Sequence, residues 1–143
     1  MSSYTSAYPS GTEFKASYKT FFEEFYRISD TPDAHDRYVE QFTEGATLIM
    51  ASRVCKGSGE ILALRHGMWD KIASRKHVPI KIFPFGADSD EVMLYGTVDY
   101  GLKEGGESRV DWAARAHLVE DCGKVKMDFY QVYLDTAAMA PKK

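Results

Sequence analysis

Residues Glu91 to Asp135 read EVMLYGTVDYGLKEGGESRVDWAARAHLVEDCGKVKMDFYQVYLD. Three long segments rich in Val, Tyr, Leu and Ala occupy 91–103, 108–120 and 124–135. Glu104-Gly105-Gly106-Glu107 and Asp121-Cys122-Gly123 separate them, and both have hairpin-turn composition. This predicts an antiparallel meander. Successive strand side chains alternate between faces. One face carries Val92, Leu94, Val98, Val110, Trp112, Met127 and Phe129. The other carries Met93, Tyr95, Asp99, Asp111, Arg115, His117, Asp128, Tyr130 and Val132. The first face is apolar; the second mixes ionisable and apolar groups. Parity alone leaves open which face looks toward the helices.

Working outward, His77 to Phe85 predicts a further strand, and Pro79 and Pro84 favour an edge position for it. Upstream, Phe14, Tyr18, Phe21, Phe22, Phe25 and Ile28 recur at helical spacing. Asp30-Thr31-Pro32 stops that helix, because the residue before a proline is pushed out of the α region. A short helix over 33–42 follows, with Asp33 as its cap. A strand over 46–50 and a partner over 53–56 come next. Ser58 opens a third helix over 60–74, with Ile61, Leu64, Met68, Trp69 and Ile72 apolar. Helices followed by a strand meander predict an α+β domain, its helices laid on one sheet face. The domain is expected over 13–136, with a flexible arm over 1–12 and a tail over 137–143.

The chain has 143 residues, 44% hydrophobic and 27% charged, with a formal charge of −3. It offers no general attraction to nucleic acid or anionic membrane. No apolar run is long enough to span a bilayer. The N-terminus lacks a basic start and apolar core, so cytoplasmic residence is expected. Cys55 and Cys122 read as free thiols. No spacing suggests a metal site, a phosphate loop or a GxSxG nucleophile.

Folding the last two strands about Asp121-Cys122-Gly123 sets His117 opposite Asp128 and Arg115 opposite Tyr130. Folding the earlier pair about Gly105-Gly106 sets Tyr95 near Arg115 and Asp99 near Asp111. A bulge would shift these pairs. A carboxylate beside His117 suits either a proton-transfer base or a structural hydrogen bond. Asp99 is either a general acid or base with a raised pKa or a solvated carboxylate. Arg115 either holds an oxyanion or satisfies Asp128. His35 and His77 are expected to face solvent.

The run Tyr38 to Leu48 resembles the "FxxDATL" segment of SnoaL-like proteins, with Gly45 where that family commonly has Asp. Gly57-Ser58-Gly59-Glu60-Ile61 resembles their glycine-containing start of the third helix. Gly123-Lys124-Val125 and Tyr133-Leu134-Asp135 resemble their "GKI" turn and "YFD" ending. The resemblance covers about Phe14 to Asp135. It implies the cone-shaped nuclear transport factor 2-like fold, with three helices on a strongly bent mixed or antiparallel sheet that encloses a pocket. The family includes polyketide cyclases, limonene epoxide hydrolase, ketosteroid isomerase, scytalone dehydratase and fungal isomerases of secondary metabolism; a fungal member is expected. Matching the epoxide hydrolase puts Asp99 in the pocket, but Thr97 and Val132 stand where two of its catalytic groups would be, which argues against epoxide hydrolysis.

The match implies that the charged face is the pocket face. It implies His117, Asp128, Asp99 and Arg115 as catalytic groups. Tyr95, Tyr130, Tyr26, Tyr38, Val132 and Trp69 are implied as ligand contacts. The apolar face with Trp112 and Phe129 would then pair two subunits of a homodimer. The expected function is cofactor-independent isomerase, dehydratase or cyclase chemistry on a small apolar oxygenated molecule. The alternative is a non-catalytic binding or assembly module of the same fold.

Overall fold

The computed structural model describes residues 4–139; the ends of the expected arm and tail, 1–3 and 140–143, lie outside the described residues. Helix α1 (Ala16–Ser29) buries Tyr18, Phe21, Phe22, Phe25, Tyr26 and Ile28, the stripe its spacing predicts. It stops at Asp30, whose N–H bonds the Tyr26 carbonyl at 3.0 Å. Helix α2 is short (His35–Val39), and Asp33 does not cap it: its φ is 65° and Ala34 holds the cap position. Strand β1 (Phe42–Met50) begins earlier than expected and takes Phe42 with it. Strand β2 (Arg53–Lys56) pairs with it.

Helix α3 (Gly57–Met68) ends six residues before its expected stop, and β3 (Ile72–Pro84) begins soon after. The cause is a mimicry of period. Register shifts between Ile72 and Ser74 and between Pro79 and Lys81 mark bulges in β3. They bring Ile72, Arg75, Pro79 and Ile82 to one buried side at three- and four-residue intervals, like a helix stripe. Strands β4 (Glu91–Leu102), β5 (Glu107–Asp121) and β6 (Lys124–Leu134) form the expected meander. A 3-10 turn (Thr136–Met139) follows. The sheet order is β2-β1-β6-β5-β4-β3, with β1 parallel to β6 and the other neighbours antiparallel. Strand β3 is at the edge, as its prolines predict. The described part of the expected arm is docked there: the Ala7 N–H bonds the Ile80 carbonyl at 2.9 Å and the Ile82 N–H bonds the Ala7 carbonyl at 3.1 Å.

The orientation of the meander reverses the expectation. Val92, Leu94, Val98, Val110, Trp112, Ala114, Ala116 and Leu118 are buried in the core against the helices. Tyr95, Asp99, Arg115, His117 and Asp128 are on the opposite face. The reason is the hydrophobic effect: α1 presents a stripe of aromatic rings, and only the uniformly apolar sheet face removes comparable area from water when laid on it. Trp112 is therefore core and cannot be a subunit contact.

Strand β6 does not follow simple parity. His117 pairs with Phe129 and Leu118 with Met127, so Asp128 is the extra residue of a bulge. After it, Tyr130 and Val132 turn inward and are buried. Phe129 points outward beneath the Arg115 guanidinium, 4.3 Å from the ring centroid. The bulge also moves Arg115 opposite Gln131 rather than Tyr130. In the β4–β5 hairpin, Tyr95 is opposite Ala113 and Asp99 opposite Arg109.

At Gly96, β4 packs tightly against β3. A Cβ there would sit 2.2 Å from the Val78 carbonyl oxygen and 3.0 Å from the Trp112 ring. Both belong to rigid surroundings, so Gly96→Ala is expected to destabilise by about 1–3 kcal/mol, the usual range for overpacking. Gly59→Ala, in the open first turns of α3 with nothing within 4 Å, is expected to be neutral or stabilising by up to about 1 kcal/mol. Denaturant unfolding of both variants checks the pair.

Candidate active site

A cavity of about 310 Å³ lies between the helices and the buried sheet face. Phe25 and Ser29 of α1 and Tyr38 of α2 line one side, and Val98, Trp112, Tyr130 and Val132 of the sheet line the other. The exposed residues Gly67, Asp70, Lys71 and Thr136 mark its mouth. The lining is mostly apolar, with few polar groups.

One of those groups is His77 on β3. Its Nδ1 is 2.6 Å from Asp30 Oδ1, and its backbone N–H donates to Asp30 Oδ2 at 2.7 Å. Tyr4 also donates to Oδ2, at 2.9 Å. The His77 and Asp30 side chains are only 15% and 4% exposed. A carboxylate accepts, so Nδ1 carries the proton and Nε2 carries the lone pair. Burial pushes the imidazole pKa below its usual value, and the Asp30 hydrogen bond and charge oppose that only in part. His77 is therefore neutral at neutral pH, which is the form a base needs.

Asp30 owes its place to Arg65. This α3 arginine is fully buried. It donates to the carbonyls of Ser29 at 2.6 Å and Thr31 at 2.7 Å, and through Nε to His35 Nδ1 at 3.1 Å. It thus caps the carbonyl end of α1, where a cation is also favoured by the helix dipole. Desolvation pulls its pKa down to about 10, still charged at neutral pH.

Tyr26 and Tyr130 share a hydrogen bond of 2.8 Å between their hydroxyls. The pair uses one proton and keeps one to donate. Burial holds both phenols protonated, and pushes Tyr38 up to about 12. The Tyr26 ring is 5.2 Å from both His77 and Trp112.

Of the expected ligand contacts, Tyr38, Tyr130 and Val132 line the cavity. Tyr26 is behind Tyr130. Trp69 is buried but outside the cavity lining, packed on Arg65 and Arg75. Tyr95 is on the outer face against Phe83. The expected catalytic set is likewise outside the cavity. His117 Nδ1 does meet Asp128 Oδ1 at 2.7 Å, but the side chains are 38% and 41% exposed. Asp99 is ion-paired to Arg109 at 2.6 Å, and Arg115 to Glu91 at 3.7 Å.

Asp30, His77 and Arg65 were not anticipated as a group. One signal was present. Phe22, Tyr26 and Asp30 follow at four-residue steps, which sets the Asp30 carboxylate on the buried stripe of α1. Among the described residues no group of three or more His, Cys, Asp or Glu could hold a metal ion, and no helix is long and apolar enough to cross a membrane.

The two histidine–aspartate pairs have opposite linkage. The His77 pKa is lowered, so its contribution to stability is full above the unfolded value of about 6.5 and is lost as pH falls through the folded value. The His117 pKa is raised: desolvation lowers it, but Asp128 and Asp90 outweigh that. Its contribution is present at low pH and lost as pH rises. Unfolding free energy measured between about pH 5 and 8 is expected to climb with pH less steeply in His77→Gln than in the wild type, and more steeply in His117→Gln.

No family model matches this chain, and no curated protein matches it in sequence. Solved structures do share its fold. A hexachlorocyclohexane dehydrochlorinase, LinA type 2, aligns with a TM-score of 0.71 at 14% identity, over 90% of this chain and 88% of that one. ActVI-ORFA from Streptomyces coelicolor aligns at 0.69 and 17% identity, over 84% and 96%. Nuclear transport factor 2 from Cryptosporidium parvum aligns at 0.68 and 11% identity, over 87% and 100%. At such identities the likeness is one of architecture, and it identifies the cone-shaped nuclear transport factor 2-like fold.

Proposed function

We propose that this chain is a cofactor-independent lyase whose base is His77. The substrate is a small, largely apolar molecule held in the cavity. His77 Nε2 takes a proton from carbon. The C–H electron pair forms a C=C bond, and the group on the neighbouring carbon leaves with its own bonding pair. The proton rests on His77 as imidazolium, stabilised by Asp30, and departs with the leaving group or into water. The hydrogen free on the Tyr26–Tyr130 pair donates to the leaving group, where charge develops. Isomerisation is the same chemistry with the proton returned to a different carbon.

The observation that carries this reading is the His77–Asp30 pair: a neutral imidazole with its tautomer set, on the wall of a mostly apolar cavity. The dehydrochlorinase named among the structural neighbours supports it as an elimination enzyme of the same fold.

The test uses 5-nitrobenzisoxazole, a bicyclic carbon acid that opens to a coloured phenolate once its proton is taken. The wild type is expected to accelerate the opening. His77→Asn is expected to lose about 10²–10⁴-fold in kcat/KM, the usual share of a positioned base, and Asp30→Asn a smaller factor. The rate is expected to be flat above about pH 6.5 and to fall as pH drops through the lowered His77 pKa. His117→Asn and Asp128→Asn are expected to match wild type. Equal turnover in wild type and His77→Asn would reject the base and favour a non-catalytic binding module.

A further inference from the structure

Two arginines are buried among the described residues, and in only one of them does every guanidinium nitrogen have a partner. Arg65 has backbone carbonyls and His35 around it. Arg75 is 6% exposed and lines the cavity. Its Nη2 donates to the Met68 carbonyl at 2.9 Å. Its Nη1 is buried with no hydrogen-bond partner among the described residues. None of the ion pairs among the described residues includes it. The guanidinium lies between the rings of Trp69 and Tyr100, 5.1 Å from each centroid. Those faces stabilise a cation, and Tyr100 also hydrogen-bonds the Arg75 side chain, but a phenol and an indole supply no counter-charge.

A buried arginine normally has a carboxylate or several carbonyls to offset its desolvation. Arg75 lines the cavity on one flank and, on the other, a groove it shares with Asp99, Tyr100, Glu107 and Arg109. Arg75 and His77 are two residues apart on β3, so both project to the same side of the strand, about 7 Å apart along it.

We propose that Arg75 recognises an oxyanion, so that the substrate carries a phenolate, enolate or carboxylate oxygen in addition to the C–H that His77 attacks. The inference rests on the reading of this cavity as the active site, and it narrows the substrate class. An apolar molecule without such an oxygen leaves the cation unpaired. An oxygen that gains negative charge as the proton is removed meets a donor already in place. Guanidinium geometry suits this role, since it offers parallel N–H donors to one or two oxygens.

The test is a binding titration with 4-nitrophenol, whose phenolate absorbs in the visible, against neutral nitrobenzene of similar size. Wild type is expected to bind the phenolate at least about tenfold more tightly than the phenol, seen as a fall of about one unit in the bound probe's ionisation pH. Arg75→Met is expected to lose that preference while binding nitrobenzene as before, which also shows that its cavity is intact. His77→Asn is expected to keep the preference even though it loses the benzisoxazole turnover, so the two readings fail separately. A preference that survives Arg75→Met, or that disappears in His77→Asn, would overturn the assignment. So would a wild type that binds both probes equally or neither, and this comparison decides the matter if Arg75→Met does not fold.

Discussion

The carbonyl end of α1 is the constraint on which the site depends. A helix leaves its last carbonyls without intrahelical partners, and burying them unpaired is costly. Here the end is buried, and Arg65 reaches it from α3 with donors to Ile28, Ser29 and Thr31. Its guanidinium is also stacked near Tyr38 and Trp69. One side chain therefore ties α1, α2 and α3 together. It also sets the position of Asp30, which lies among the residues it clamps. Asp30 in turn holds both the backbone and the ring of His77. The edge strand β3 is thereby fastened to the helical layer beside the cavity.

The sheet must curl for a cavity to exist at all, and bulges produce that curl. Three of them have a local enabling feature. At the Pro79–Lys81 irregularity, proline removes a ladder donor and Gly96 opposite allows the strands to close up. At Ile72–Ser74, Gly101 admits the Ser74 hydroxyl where a Cβ would collide at 2.4 Å. At Asp128 the extra residue lets Tyr130 and Val132 face inward beside Met127. The curl is thus written at local irregularities, and a further register shift between Phe42 and Thr47 accompanies them where β1 meets β6.

This explains what the chain discloses when read as letters. The α+β class, the meander with its two turns, the edge placement of β3 and the stripe of α1 all follow from period and punctuation. They survive because they are local. Which face of the meander is buried is not local, and the family resemblance pointed to the wrong one, although apolar area alone favours the face that carries Trp112. Tyr130 and Val132 reach the cavity only because a bulge reverses the parity on which their expected placement was drawn. Asp30 and His77 are separated by α2, β1, β2 and α3, so no spacing rule joins them. Asp30 also reads naturally as a helix stop, which it is, and this ordinary role conceals the other one.

The molecule holds two histidine–aspartate pairs of nearly equal length, 2.6 Å and 2.7 Å. As pairs they are chemically alike, yet their imidazoles shift in opposite directions. At His117 desolvation is the largest single influence and lowers the value, but the hydrogen bonds and charges of Asp128 and Asp90 together outweigh it. At His77 the ring is enclosed, and desolvation of the cation outweighs the attraction of one carboxylate. A base must be unprotonated before it reacts and stabilised after it has taken the proton. The enclosed pair meets both conditions, because burial favours the neutral resting ring while Asp30 is in place to balance the charge. Proximity of an acid to a histidine is therefore a weak guide to chemistry by itself. The dielectric around the pair decides what it can do, and in this fold that is determined by which side of the sheet the pair occupies.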